Sequence, residues 1–210
     1  MLNRFQQYLQ TIGIQVHAHN YVYNPQQPLY LHGGNINIPI VQSRDILDNS
    51  TYKFAEKITF NNGGDYAVAI GYNPALNNGA YIDRTNYLVA NLLRNLKYDG
   101  YYLFNMLPDV SGTKIAKATS SYPNYIKTVL DFLMQDNSTW NCDIFIFWGS
   151  SVYVKNNIIN GILGLKNQHV NTIGTTSKQH KHPGRGVSLQ TISSFPVNLS
   201  QLARGVHYLK

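Results

Sequence analysis

The stretch 65–105, DYAVAIGYNPALNNGAYIDRTNYLVANLLRNLKYDGYYLFN, changes its hydrophobic period twice. DYAVAIGY (65–72) is a short apolar run of strand length. IDRTNYLVANLLRNL (82–96) then sets Leu88, Leu92 and Leu96 at helical spacing. GYYLFN (100–105) is a second apolar strand, opened by Gly100. Strand, helix and strand of these lengths make a βαβ unit, whose two strands lie parallel in one sheet.

The alternation continues outward from this unit. YPNYIKTVLDFLMQ (122–135) predicts a helix and CDIFIFWG (142–149) a buried strand. SSVYVKNNIINGIL (150–163) predicts a helix with Ser150 or Ser151 as N-cap. HVNTIGT (169–175) reads as a fourth strand and NLSQLARGV (198–206) as a final helix. On the other side, Leu2, Phe5, Leu9 and Ile12 give residues 2–12 the spacing of a short amphipathic helix. Residues 15–45 are rich in Asn, Pro, Gly and Tyr and predict irregular or short-stranded structure. Thr51–Phe60 predicts an edge strand or hairpin arm. The expectation is an α/β protein: a three-layer αβα domain over 61–210 with a mainly parallel four-stranded central sheet. Residues 1–60 would form an irregular N-terminal extension packed on that core.

Only 13% of the residues are charged, and Lys plus Arg outnumber Asp plus Glu by 17 to 10, a net charge of +7. The isoelectric point near 9.4 suits a polyanionic partner, nucleic acid first, and equally a soluble protein that is merely basic. A single cysteine, Cys142, excludes an internal disulfide and a cysteine-based zinc site, and its apolar surroundings predict a core residue. The N-terminal MLNRFQQYLQ lacks the apolar stretch of a secretory signal, and no run is long enough to span a membrane. A cytoplasmic monomer without a membrane partner is expected.

The distinctive polar loops all follow predicted strands: GYNPALNNG (71–79), FNMLPDVSG (104–112), WGSS (148–151) and GTTSKQHKHPGRG (174–186). In open α/β sheets the ligand crevice lies at the carboxyl ends of the strands, so these loops should share one pocket. Asn73, before Pro74, is either a plain turn residue or a carboxamide held at the crevice edge. Asn105 either caps its strand or reads a base edge, since an amide both donates and accepts. Asp83 suits a helix N-cap and, less well, a general base. Ser150 and Ser151 open a helix that could cap itself or hold a phosphate. His182 could donate to an oxygen that gains charge. His180 and His182 form an H-x-H pair, but no carboxylate cluster accompanies it, so no metal or other cofactor is expected. Lys178, His180, Lys181 and Arg185 suit phosphate contacts, or form a solvated basic loop.

The order GYNPA, LFN, FWGSS, HPGR resembles the uracil-DNA glycosylase superfamily over residues 65 to about 190. It is similar, more closely, to an uncharacterised bacterial and phage family with an Asn-Pro loop, an Asp-x-Thr (Asp83 to Thr85), a strand ending in Asn and a late His-Pro. The glycosylase resemblance implies that Asn73, with Asp83 helping, orients the attacking water. Asn105 would read the base, and His182 would stabilise charge on the departing base. Tyr72, Tyr81 or Phe104 would stack on a nucleotide flipped out of the helix. The chain departs from that pattern at three places. HPGR replaces HPSP, so Arg185 stands in for an apolar wedge. Ala75 follows the Asn-Pro where a bulky Tyr excludes a thymine methyl, which leaves room for a larger or modified base. Residues 1–60 match no part of it. The implied activity is hydrolysis of an N-glycosidic bond in DNA. The alternatives are a non-catalytic nucleic-acid-binding module and binding or hydrolysis of a free nucleotide.

Overall fold

The computed structural model describes residues 1–33, 36–49, 51–71, 74, 79–108, 125–136, 142–147 and 173–175. The chain opens with helix α1 (Leu2–Thr11), whose Leu2, Phe5 and Leu9 are buried. Strands β1 (His17–Val22), β2 (Tyr30–Leu31), β3 (Ser43–Asp48), β4 (Lys53–Thr59), β5 (Tyr66–Gly71) and β6 (Tyr81–Ile82) follow. Helix α2 (Arg84–Asn95) leads to β7 (Gly100–Asn105), and helix α3 (Tyr125–Gln135) leads to β8 (Ile144–Ile146) and β9 (Ile173–Thr175).

Among the described residues the main sheet has seven strands in the order β1-β3-β4-β7-β5-β8-β9. The four strands expected from the βαβ pattern are its parallel part: β7 beside β5, β5 beside β8, β8 beside β9. The sheet is nevertheless larger than the mainly parallel four-stranded one expected, and it is mixed. Residues 15–45, expected to be irregular or short-stranded, hold β1, β2 and the start of β3. β1, β3 and β4 add an antiparallel meander that joins the parallel part through β4 and β7. Thr51–Phe60 thus supplies a hairpin arm in the interior of the sheet, because β7 takes its second edge.

Helices lie on both faces. α1 and α3 pack with Phe54, Val68, Ile70, Phe104 and Ile144 on one side. Val89, Ala90 and Leu93 of α2 pack with Ile58, Ala67, Ala69 and Leu103 on the other. Strand alternation explains this division, since neighbouring residues of β5 and β7 point to opposite faces. The buried face of α2 runs through Val89, Ala90, Leu92 and Leu93; Leu88 is only half-buried. α1 is tied to α3 by Phe5 against Phe132, with centroids 4.8 Å apart, and by Arg4 with Asp136 at 3.1 Å.

One irregularity sets the position of the charged residues. Leu47 faces Ala55, but the next residue, Asp48, faces Lys53, so Phe54 is an extra residue on β4. Such a bulge resets the alternation by one. The Phe54 carbonyl accepts the Tyr125 hydroxyl at 2.9 Å, which fastens α3 to the bulge. Lys53 and Glu56, three apart, consequently reach each other on the same side of the sheet, Nζ to Oε2 at 2.8 Å. The predicted helices at 150–163 and 198–206 lie outside the described residues.

Candidate functional site

The first crossover takes the chain from β5 through α2 to β7. The second returns it across β5 to β8. The order of strands therefore reverses at β5, and the parallel strands end at Gly71, Asn105 and Ile146, the position at which open α/β sheets bind ligands. The backbone closes this end: Met106 N–H donates to Gly71 at 3.0 Å and Phe147 N–H to Ile70 at 2.7 Å.

Asn105 pairs with Gly71 across the parallel ladder and is 2% exposed. Its Oδ1 sits over Gly71, where a Cβ would come within 2.8 Å of it. A side chain at position 71 would displace the carboxamide, so glycine is required by close approach. The Nδ2 of Asn105 has no hydrogen-bond partner among the described residues. A buried donor left unmade costs about 1–3 kcal/mol. The amide stands at the carboxyl end of β7.

Glu56 pairs with Leu103, two residues before Asn105, so alternation puts Glu56 and Asn105 on one face, the α2 face. Around Glu56 is a buried polar network that periodicity does not reveal. Its Oε2 accepts from Arg44 Nη2 at 2.6 Å and from Lys53, and its Oε1 accepts from the Asn86 amide. Arg44 also donates to the Tyr81 carbonyl at 2.9 Å. Burial by itself would raise the Glu56 pKa; Lys53 and Arg44 overcome that and hold it at about 2. Burial opposes the charge on Arg44, but Glu56 and Tyr23 outweigh it and keep its pKa above the ordinary arginine value. At Lys53 burial wins over Glu56, and the pKa is lowered. The only hint in the sequence is the lone acid in TYKFAEKITF (51–60), an otherwise strand-like segment.

Asp83 caps α2. Its Oδ1 accepts from Thr85 N–H at 2.8 Å and Asn86 N–H at 3.0 Å. The cap orients the first turn, which brings Asn86 to Glu56. Tyr81 lies on β6 and is 40% exposed, with its ring 6.4 Å from Tyr30 and 6.2 Å from His32. Phe104 belongs to the core: it is fully buried, 5.0 Å from Phe5 in an edge contact, and has no face left for a base. Cys142 is half-buried; burial and the nearby Asp143 and Asp136 carboxylates push its thiol up to about 11, so it is no thiolate at neutral pH. Of the sequence-predicted site residues, Asn105 ends β7 and Asp83 opens α2, while Tyr81 lies on the separate β2-β6 pair with its carbonyl held by Arg44. Tyr72, Asn73, Ser150, Ser151, Lys178, His180, Lys181, His182 and Arg185 lie outside the described residues.

A family model described as Protein of unknown function (DUF1643) matches residues 54–184. The chain belongs to the DUF1643 family. The DUF1643 region opens at the bulged Phe54 and closes on His182-Pro183-Gly184. It contains Glu56, Asn73, Asp83, Asn86 and Asn105, while Arg44 and Lys53 precede it. No curated protein and no solved structure matches the chain significantly. Among the described residues, no helix is long and apolar enough to cross a membrane.

Proposed function

We propose that this DUF1643 chain is a uracil-DNA glycosylase-like enzyme that hydrolyses the N-glycosidic bond of a base, modified or unmodified, in DNA. The single observation that carries the reading is the buried Nδ2 of Asn105 above Gly71, which has no hydrogen-bond partner among the described residues. A carboxamide fixed in this way, with a donor unspent, suits recognition of a base edge that both donates and accepts. The net charge of +7 supports a polyanionic substrate. The order of the Asn-Pro, Phe-Asn and His-Pro segments after successive strands supports a shared crevice.

In this reading the nucleotide leaves the stack and enters the crevice. Asn105 hydrogen-bonds the base. The bond from C1′ to the base nitrogen breaks, and its electron pair leaves with the base. His182 donates a hydrogen bond to the base oxygen that gains charge. Water, oriented by Asn73, adds to C1′ and loses its proton to solvent. Asp83 holds the first turn of α2 and acts on position rather than as the base. Tyr81 offers a stacking face, and Lys178, Lys181 and Arg185 contact phosphates. An amide is a poor general base, so leaving-group stabilisation carries the rate and turnover is slow.

The test is base release. Duplex and single-stranded DNAs carrying uracil, mismatched, hydroxymethylated or glucosylated bases are incubated with the protein, and alkali-labile abasic sites are scored. Release of one base, abolished in His182→Ala and strongly reduced in Asn105→Ala, is the expected result. No release from any substrate overturns the enzyme. Salt-sensitive binding without release points instead to a non-catalytic nucleic-acid module.

A further inference from the structure

We propose that a second cleft, walled by Tyr21, Tyr23 and Tyr30 with Gln26 and Gln27, binds an unpaired nucleobase of the substrate strand. This rests on the proposed action on DNA and deepens it: the preferred substrate carries a single-stranded stretch in addition to the target base. The cleft has a volume of about 650 Å³, enough for a nucleoside, and none of its lining side chains carries a formal charge. A pocket of this composition recognises a neutral planar ring rather than a phosphate. Phenol rings give it flat stacking faces, and carboxamides give paired donors and acceptors.

The cleft is built and held. The Tyr23 hydroxyl donates to the Gly79 carbonyl at 2.7 Å. The Tyr21 ring packs against Gly79, where a Cβ would fall 2.0 Å from its Cδ1. Asn24 Oδ1 accepts from the N–H groups of Gln26 and Gln27, each at 3.0 Å, and this turn presents the two glutamines. Aromatic surface extends from both sides. His19 stacks on Tyr21 at 6.4 Å, Tyr81 lies 6.4 Å from Tyr30, and His32 lies 6.2 Å from Tyr81. Exposed and half-buried rings in a row offer faces on which successive unpaired bases stack. Residues 20–30 precede the DUF1643 match while Gly79 and Ala80 fall inside it, so the cleft joins the family region to the segment before it.

The experiment measures affinity by fluorescence anisotropy on the full chain, with a labelled unstructured oligodeoxynucleotide and the duplex of the same sequence. The wild-type protein is expected to bind the single strand more tightly than the duplex. Tyr30→Ala and Tyr21→Ala are each expected to weaken single-strand binding by roughly 5- to 100-fold, the loss of one stacked base, and to leave duplex binding unchanged. Tyr30→Phe keeps the ring and should retain the affinity. Gln26→Ala, an exposed change that leaves the fold alone, should lower it severalfold. Affinities within twofold of wild type in both tyrosine-to-alanine variants overturn the proposal. So do equal losses on single strand and duplex, or no binding to either. Because binding is read without base release, a tyrosine-dependent preference in a protein that releases no base sustains the cleft and removes only the glycosylase.

Discussion

Replacing Glu56 by Gln removes a carboxylate shared by Arg44 and Lys53 and leaves its shape nearly intact. Both cations stay buried, Arg44 at 0% and Lys53 at 4% exposure, against a neutral amide. Breaking a buried ion pair from one side costs about 3–5 kcal/mol, because the remaining charge keeps its desolvation penalty. Asp83 also acts on Lys53 and offsets part of this, which places the expectation at the lower end, about 3 kcal/mol. For a chain of this size each kcal/mol moves Tm by about 2–4 °C, so Tm should fall by roughly 6–12 °C in far-UV circular dichroism melts at pH 7. The pH dependence has a definite sign. Glu56 is held at about 2 in the folded protein against an ordinary 4.5, so the unfolded chain takes up the proton first as pH falls. Its contribution is complete above the ordinary value and is lost between about 4.5 and 2. Glu56→Gln should therefore flatten the acid limb of the stability curve. The triple change Arg44→Met, Lys53→Met, Glu56→Leu should recover most of the lost Tm, since no charge is then stranded. A drop below 2 °C in Glu56→Gln, with an unaltered acid limb, would refute the shared-carboxylate reasoning.

Three further outcomes follow from particular contacts. Asp83→Ala should cost about 0.5–2 kcal/mol in denaturant unfolding, whereas Asp83→Asn, which still caps, should cost far less and keep base release; loss of release in Asp83→Asn would make the carboxylate a base after all. Gly79→Ala forces the Tyr21 ring aside and should cost about 1–3 kcal/mol while lowering single-strand affinity as Tyr21→Ala does; wild-type melting and binding would contradict the close packing. Cys142, with its thiol pushed up to about 11, should react with a disulfide reagent at pH 8 far more slowly than free cysteine, and parity would show it is neither buried nor opposed by carboxylates.

Periodicity alone reached the elements that are stabilised by their own neighbours in sequence. β7 runs over Gly100–Asn105, the span quoted from the sequence, and α2 and β5 fall within their expected stretches, because each carries a complete apolar run or stripe. The parallel relation of β5, β7 and β8 follows from the helices α2 and α3 between them, and so does the placing of Asn105 and Asp83 at one end of the sheet. Asp83 could be read as a cap because capping is local. The tertiary structure alone decided the rest. β1, β3 and β4 are held by pairing with distant partners, and His17–Val22 is largely exposed, so it carries no apolar signal of its own. Phe104 is a plausible stacking ring in sequence; it became core because α1, from the far end of the chain, covers it with Phe5. The burial of Glu56 depends on one extra residue at Phe54, which turns Lys53 toward the acid. A bulge is a choice of register between two strands, and only the energy of the packed sheet, summed over contacts distant in sequence, selects it.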